Sequence, residues 1–156
     1  MKKFAKLSTL TLAMSIAISA TPVMAAGPAD EVMALARAQW AAEIAGKPVS
    51  EQMAATADDY TEFNPSSPYR FNGKELNSRF YTATEADGSK SIAADMQNAH
   101  VQVYGDTAIL SYNYIGVIQA KDGKITPSNG KSTRVYSKIN GKWMLVHAHF
   151  SGQDQD

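Results

Sequence analysis

Cysteine is absent from the 156 residues, so neither a disulfide framework nor a thiolate metal site is available. An excess of basic charge is absent too: 15 Lys and Arg face 15 Asp and Glu, which gives no electrostatic footprint for nucleic acid. A membrane-spanning helix needs about 20 predominantly apolar residues. The apolar stretch from Leu7 to Ala20 falls short of that and is broken by Thr11, Ser15 and Ser19. Internal repeats, low-complexity segments and linkers are missing, and no His-Glu-x-x-His pattern occurs. Stability must therefore come from burial, for which 44% apolar content suffices in one domain.

What is present begins with a targeting layout. Lys2, Lys3 and Lys6 precede the apolar stretch, and Thr21, Pro22 and small residues follow it, with Val23 and Ala25 at the positions a signal peptidase reads. The expectation is a signal peptide over 1–25, cleaved to leave a single domain over 26–156. That remainder carries twelve basic and fifteen acidic residues, a net charge of −3. The lysine-rich start and short apolar region suit export across the inner membrane to the bacterial periplasm, with no membrane attachment after cleavage.

Helix signals come first along the mature chain. Gly27-Pro28-Ala29-Asp30 opens a helix over about 30–45, with Val32, Ala36, Trp40 and Ile44 recurring every four residues. Gly46 and Pro48 end it, and Ser50 is placed to cap a short second helix over 51–57. Residues 58–63 read as a strand, Asn64 to Pro68 as a turn, and 74–84 as a third helix. From Ser91 the pattern changes to β-branched and aromatic runs divided by Gly105, by Asp122-Gly123 and Pro127 to Gly130, and by the hairpin signal Asn140-Gly141. Helices followed by an antiparallel meander predict an α+β fold.

The segments "YTEFNP", "SRFY", "NAHVQVYGDTAILSY" and "TRVYSKINGKWMLVHAHFSG" follow one another in an order and spacing that resemble a known family. It is the association domain of calcium/calmodulin-dependent protein kinase II, within the nuclear-transport-factor-2-like (SnoaL-like) superfamily. The resemblance implies a cone-shaped α+β fold, with N-terminal helices packed on a strongly curved antiparallel sheet that encloses a pocket. It also implies self-association through the sheet, as a homodimer or larger ring. Kinase activity is not implied: the Gly-rich loop, Val-Ala-Ile-Lys, His-Arg-Asp and Asp-Phe-Gly motifs are all missing. A basic amphipathic helix of the kind calmodulin binds is missing as well, so calmodulin is not an expected partner.

Arg134 matches an arginine that the resemblance places in the pocket, where a planar guanidinium can hold a small carboxylate through two parallel hydrogen bonds. The competing reading pairs it with Glu62 or an Asp. Further pocket arginines of the kinase domains fall at Tyr114 and Phe150, and a histidine at Ser78, which leaves a less basic and more aromatic pocket here. Tyr114, Phe150 and Tyr60 join Arg134 as candidate ligand-binding residues.

Strand parity puts Trp143, Leu145, His147 and His149 on one face and Met144, Val146, Ala148 and Phe150 on the other, unless a bulge intervenes. With Phe150 toward the pocket, Trp143, His147 and His149 become candidates for the outer, self-associating face. A His-x-His metal site would need a third ligand, for which only His100 remains. Neither a metal nor an organic cofactor is expected. As catalytic candidates, Glu62 can serve as a proton-abstracting base, with Tyr60 and Tyr112 as oxyanion donors. Asp58 and Asp59 suit a solvated turn.

The leading expectation is an exported, self-associating module with a pocket for a small polar or anionic ligand. A cyclase- or isomerase-type enzyme and a purely structural oligomerisation domain are the alternatives, since one fold hosts all three.

Overall fold

The structure is a computed structural model that describes residues 26–152; the expected signal segment 1–25 lies outside the described residues. Helix α1 (Pro28–Ile44) starts with proline in its first turn, and the Gly27 amide donates to the Asp30 carboxylate. It stops where Gly46 turns into the left-handed region at φ 65°. Val32, Ala36 and Trp40 form its buried stripe.

The second helix departs from expectation. Helix α2 spans only Val49–Gln52 and is capped by Pro48, because the chain enters strand β1 (Thr56–Phe63) earlier than its turn residues indicate. A two-residue strand β2 (Phe71–Asn72) precedes helix α3 (Lys74–Glu85). Strands β3 (Lys90–Tyr104), β4 (Thr107–Gln119), β5 (Ile125–Ile139) and β6 (Lys142–Gly152) complete the molecule. Strand β5 runs straight through Pro127 to Gly130, which the sequence marks as a connection: Val117 of β4 pairs with Pro127 and Tyr114 with Gly130.

One six-stranded sheet holds all the strands, in the order β2-β1-β6-β5-β4-β3. The sheet is antiparallel as expected at every junction but one, where β1 runs parallel to β6. Strand β2 and helix α3 separate β1 from the meander, and β1 lies in parallel register beside the meander's last strand, β6. Long strands and register shifts bend the sheet. In β3 the shift falls between Gln97 and His100, with Asn98 in the left-handed region at φ 51°.

A second bulge decides which side chains face the helices. Tyr136 pairs with Leu145 and Val135 with His147, so Val146 is an extra residue in β6. Side-chain parity reverses there. Trp143 and Leu145 before the bulge, and Ala148 and Phe150 after it, all lie on the inner face. Trp143 is therefore not on the outer face with the histidines, as alternation alone predicts. It is 6% exposed, donates from Nε1 to Glu31 of α1 at 2.8 Å, and carries Lys138 Nζ 5.1 Å above its ring. His147 and His149 stay on the outer face, opposite Val135 and Thr133.

Candidate functional site

The inner face of the sheet and helix α1 enclose a cavity of about 320 Å³. Alternation along β4 presents Tyr112 and Tyr114 to it, β5 presents Ser132 and Arg134, β6 presents Phe150, and α1 contributes Gln39, Trp40 and Glu43. Tyr81 of α3 and Asn64 close another side. Gly116 makes room for one of these rings: a Cβ there would lie 2.6 Å from Cε1 of Tyr114, so the ring leans over a bare backbone.

Arg134 is the cavity's buried cation. Its Nε donates to the Tyr112 hydroxyl at 2.8 Å and its Nη1 to Gln39 Oε1 at 2.6 Å. Trp40 and Phe150 hold the guanidinium between them, their ring centroids 5.6 and 5.3 Å from its Cζ. Such desolvated cation–π contacts contribute up to about 2 kcal/mol each. Burial works against the charge, and the oxygens of Tyr112, Tyr136 and Tyr60 more than offset it, so the group stays protonated. The ion pairs among the described residues are Arg37–Asp95 and Lys47–Glu51, and Arg134 is in neither. The fold does not build the expected alternative of a structural pair with Glu62 or an Asp.

Glu62 is instead part of a separate buried network. Tyr60 donates to it at 2.7 Å, Tyr81 reaches both its oxygens at 2.9 and 2.8 Å, and Asn64 Nδ2 donates at 2.8 Å. Every neighbour is a donor, the arrangement an acceptor-only carboxylate accepts without a cation. Burial, and then the charge of Glu62, pushes the phenols of Tyr60 and Tyr81 well above the ordinary tyrosine range.

Glu62 is 0% exposed and does not line the cavity. Tyr60 does not line it either, because its hydroxyl is directed to Glu62. The expectation of Glu62 and Tyr60 as groups that meet a ligand is corrected: they stand behind the wall, with Tyr81 between. Tyr112, Tyr114, Arg134 and Phe150 do converge on the cavity. Gln39, Tyr81 and Glu43, which the sequence does not single out, join them. Gln39 and Glu43 sit four apart on a helix whose visible signal is its apolar stripe, so only the facing sheet reveals what they touch.

On the outer face, His147 Nδ1 lies 2.8 Å from Thr61 Oγ1, and the Phe63 ring packs near both histidines. Burial first, then the positive charges of His149 and Arg70, holds the His147 imidazole below its usual pKa.

Helices laid across one face of a bent, open sheet, with a cavity between, make up the nuclear-transport-factor-2-like fold class. Solved structures of that class are similar over most of the chain. One is a Parabacteroides distasonis protein described as a ketosteroid isomerase, with 18% identity, TM-score 0.68, and 86% of this chain and 94% of that one covered. Residues 29–154 match the calcium/calmodulin dependent protein kinase II association domain, and the chain belongs to that family. A Xanthomonas campestris protein described in the same terms is 22% identical, with TM-score 0.71 over 92% of this chain and 100% of that one. The S. rosetta CaMKII hub is 27% identical, with TM-score 0.67 over 82% of this chain and 98% of that one.

Proposed function

We propose that this protein is an exported, self-associating module whose Arg134 cavity binds a small anionic or polar ligand, without kinase activity of its own. One observation carries the ligand reading. A buried guanidinium with no carboxylate partner among the described residues lines a cavity walled in part by the aromatic rings of Trp40, Tyr112, Tyr114 and Phe150. Burying an uncompensated charge is costly, and a ligand carboxylate supplies the missing partner with matched geometry. Self-association is supported by the family's association-domain fold, known among its members as a hub. It is also supported by the outer sheet face, where Phe63 is exposed beside His149 and Ile115 is exposed farther along β4. Export rests on the sequence of residues 1–25, and the bacterial periplasm is the proposed location.

The isomerase-type alternative needs a base that reaches the ligand. Glu62 is fully enclosed with its oxygens engaged, which speaks against it as that base. A thermal-shift screen of small carboxylates against wild type and Arg134→Lys tests the ligand reading. The wild type is expected to be stabilised and the variant to respond weakly, because an ammonium cannot reproduce the planar fork. Equal responses would remove Arg134 as the anchor.

A further inference from the structure

The cavity that holds Arg134 has a charge of the opposite sign in its wall. Glu43 lies four residues beyond Gln39 on α1, which places it one turn, about 6 Å, along the same helix face. Gln39 is the residue that grips Arg134. The Glu43 carboxylate accepts a hydrogen bond from Ser91 Oγ of β3, and both residues line the cavity. With Tyr81 and Ile118 they also line an adjoining cleft of about 400 Å³ that Arg134 does not reach, so Glu43 marks the far end of the space. Lys90 stands exposed on the rim of that cleft. No ion pair among the described residues involves Glu43 or Arg134.

The neutral groups between the two charges are polarised in the same sense. The Tyr112 hydroxyl accepts from Arg134, which leaves its own hydrogen to donate. The Tyr81 hydroxyl donates to Glu62, which leaves it an acceptor. Tyr114 stands in both fields: its phenol is pushed up to about 12 by burial first and then by Glu43, with Arg134 opposing. One end of the cavity therefore donates and the other accepts, across walls of Trp40, Tyr112 and Tyr114. A simple anion on Arg134 would leave the carboxylate of Glu43 unmatched and repelling it. A ligand with a carboxylate at one end and an ammonium at the other satisfies both.

We infer that the ligand is a zwitterion of the amino-acid class, its carboxylate on Arg134 and its ammonium on Glu43. This rests on the anion-pocket reading above and specifies the ligand class for that same site. The test is calorimetric titration of matched pairs, β-alanine against propionate and δ-aminovalerate against valerate, into wild type, Glu43→Gln and Arg134→Lys. In wild type the better-fitting amino acid is expected to bind at least about tenfold more tightly than its carboxylate partner, or about 1.4 kcal/mol. Glu43→Gln is expected to abolish that preference, weakening the amino acid and relieving the repulsion on the simple carboxylate, and Arg134→Lys to weaken both. Glu43 is half-buried, so its variant is expected to fold, and circular dichroism checks this. Carboxylates that bind wild type as tightly as their amino-acid partners, or a preference that survives Glu43→Gln, would overturn the zwitterion and leave the anion pocket standing. Absence of binding by all four compounds would overturn both.

Discussion

Arg134 and Glu62 are buried charges that the fold treats in opposite ways. Glu62 is compensated by three donor side chains, whereas Arg134 keeps donors for the cavity after binding Tyr112 and Gln39. Replacing Glu62 with Gln puts amide hydrogens where only donors converge. The expected loss is about 1–3 kcal/mol in urea unfolding, from hydroxyls left without an acceptor. An unchanged midpoint would mean that the network contributes nothing to stability. His147 gives the residue scale a pH dependence. Its folded pKa is depressed by burial, His149 and Arg70, against weaker opposing effects of Thr61 and Glu62. The unfolded chain takes up a proton near pH 6.5, while the folded chain resists until lower pH. The contribution of His147 to stability is thus present above about pH 6.5 and lost as pH falls through the folded value. Wild type is expected to lose more stability than His147→Gln between about pH 7.5 and 5.5, measured by denaturant titration of both proteins.

Among the elements, β6 carries the most information per residue, because a single extra residue divides its two halves. Val146 lets Trp143 and Leu145 share the inner face, Trp143 reaching the start of α1, while Ala148 and Phe150 still face inward beside Arg134. Deleting Val146 forces one half of the strand to turn its side chains to the other face. Loss of the near-ultraviolet circular dichroism of the native state is expected for the deletion. Val146→Ala, which keeps the bulge, is expected to cost only about 1 kcal/mol. A deletion variant with native spectra would show that register tolerates the shift. The Asn140-Gly141 turn is the element the sequence announces most plainly. Both residues have positive φ, 51° and 77°, as a two-residue hairpin of the primed type requires. Gly116 belongs to the same scale. Gly116→Val is expected to displace the Tyr114 ring and reduce ligand-induced thermal stabilisation more than it reduces the melting temperature of the free protein.

For the whole molecule, the inner sheet face is occupied by α1 and the cavity, so the outer face is the one proposed for association. There β1, β6, β5 and β4 present Phe63, Thr61, His147, His149, Val135 and Ile109 side by side. Size-exclusion chromatography with light scattering is expected to give a dimer or larger ring for the chain over 26–156, and a smaller species for Phe63→Lys. A wild type that stays monomeric at every concentration would end the self-association proposal. Lower pH is expected to weaken the assembly, since protonating His147 places a charge on the face proposed for association.

The order of helices before strands, the hairpin turns and the family pattern were legible because they depend on local chemistry: turn residues, periodicity and motif spacing act over a few neighbours. Arg134, Tyr114 and Phe150 could be placed in the cavity for the same reason, by strand parity and matched motifs. Trp143 could not, because a bulge leaves no local signature in "KWMLVHAHF", and it shows only as a mismatch with β5. The parallel pairing of β1 with β6, the withdrawal of Tyr60 and Glu62 behind Tyr81, and the facing of Glu43 and Arg134 were likewise decided by tertiary structure. Each depends on contacts between segments distant in the chain. By itself the sequence determined which elements form and which residue types are available to a site. Packing of α1 and α3 against the bent sheet decided which of those residues meet, because burial and pairing act on the assembled surface rather than along the chain.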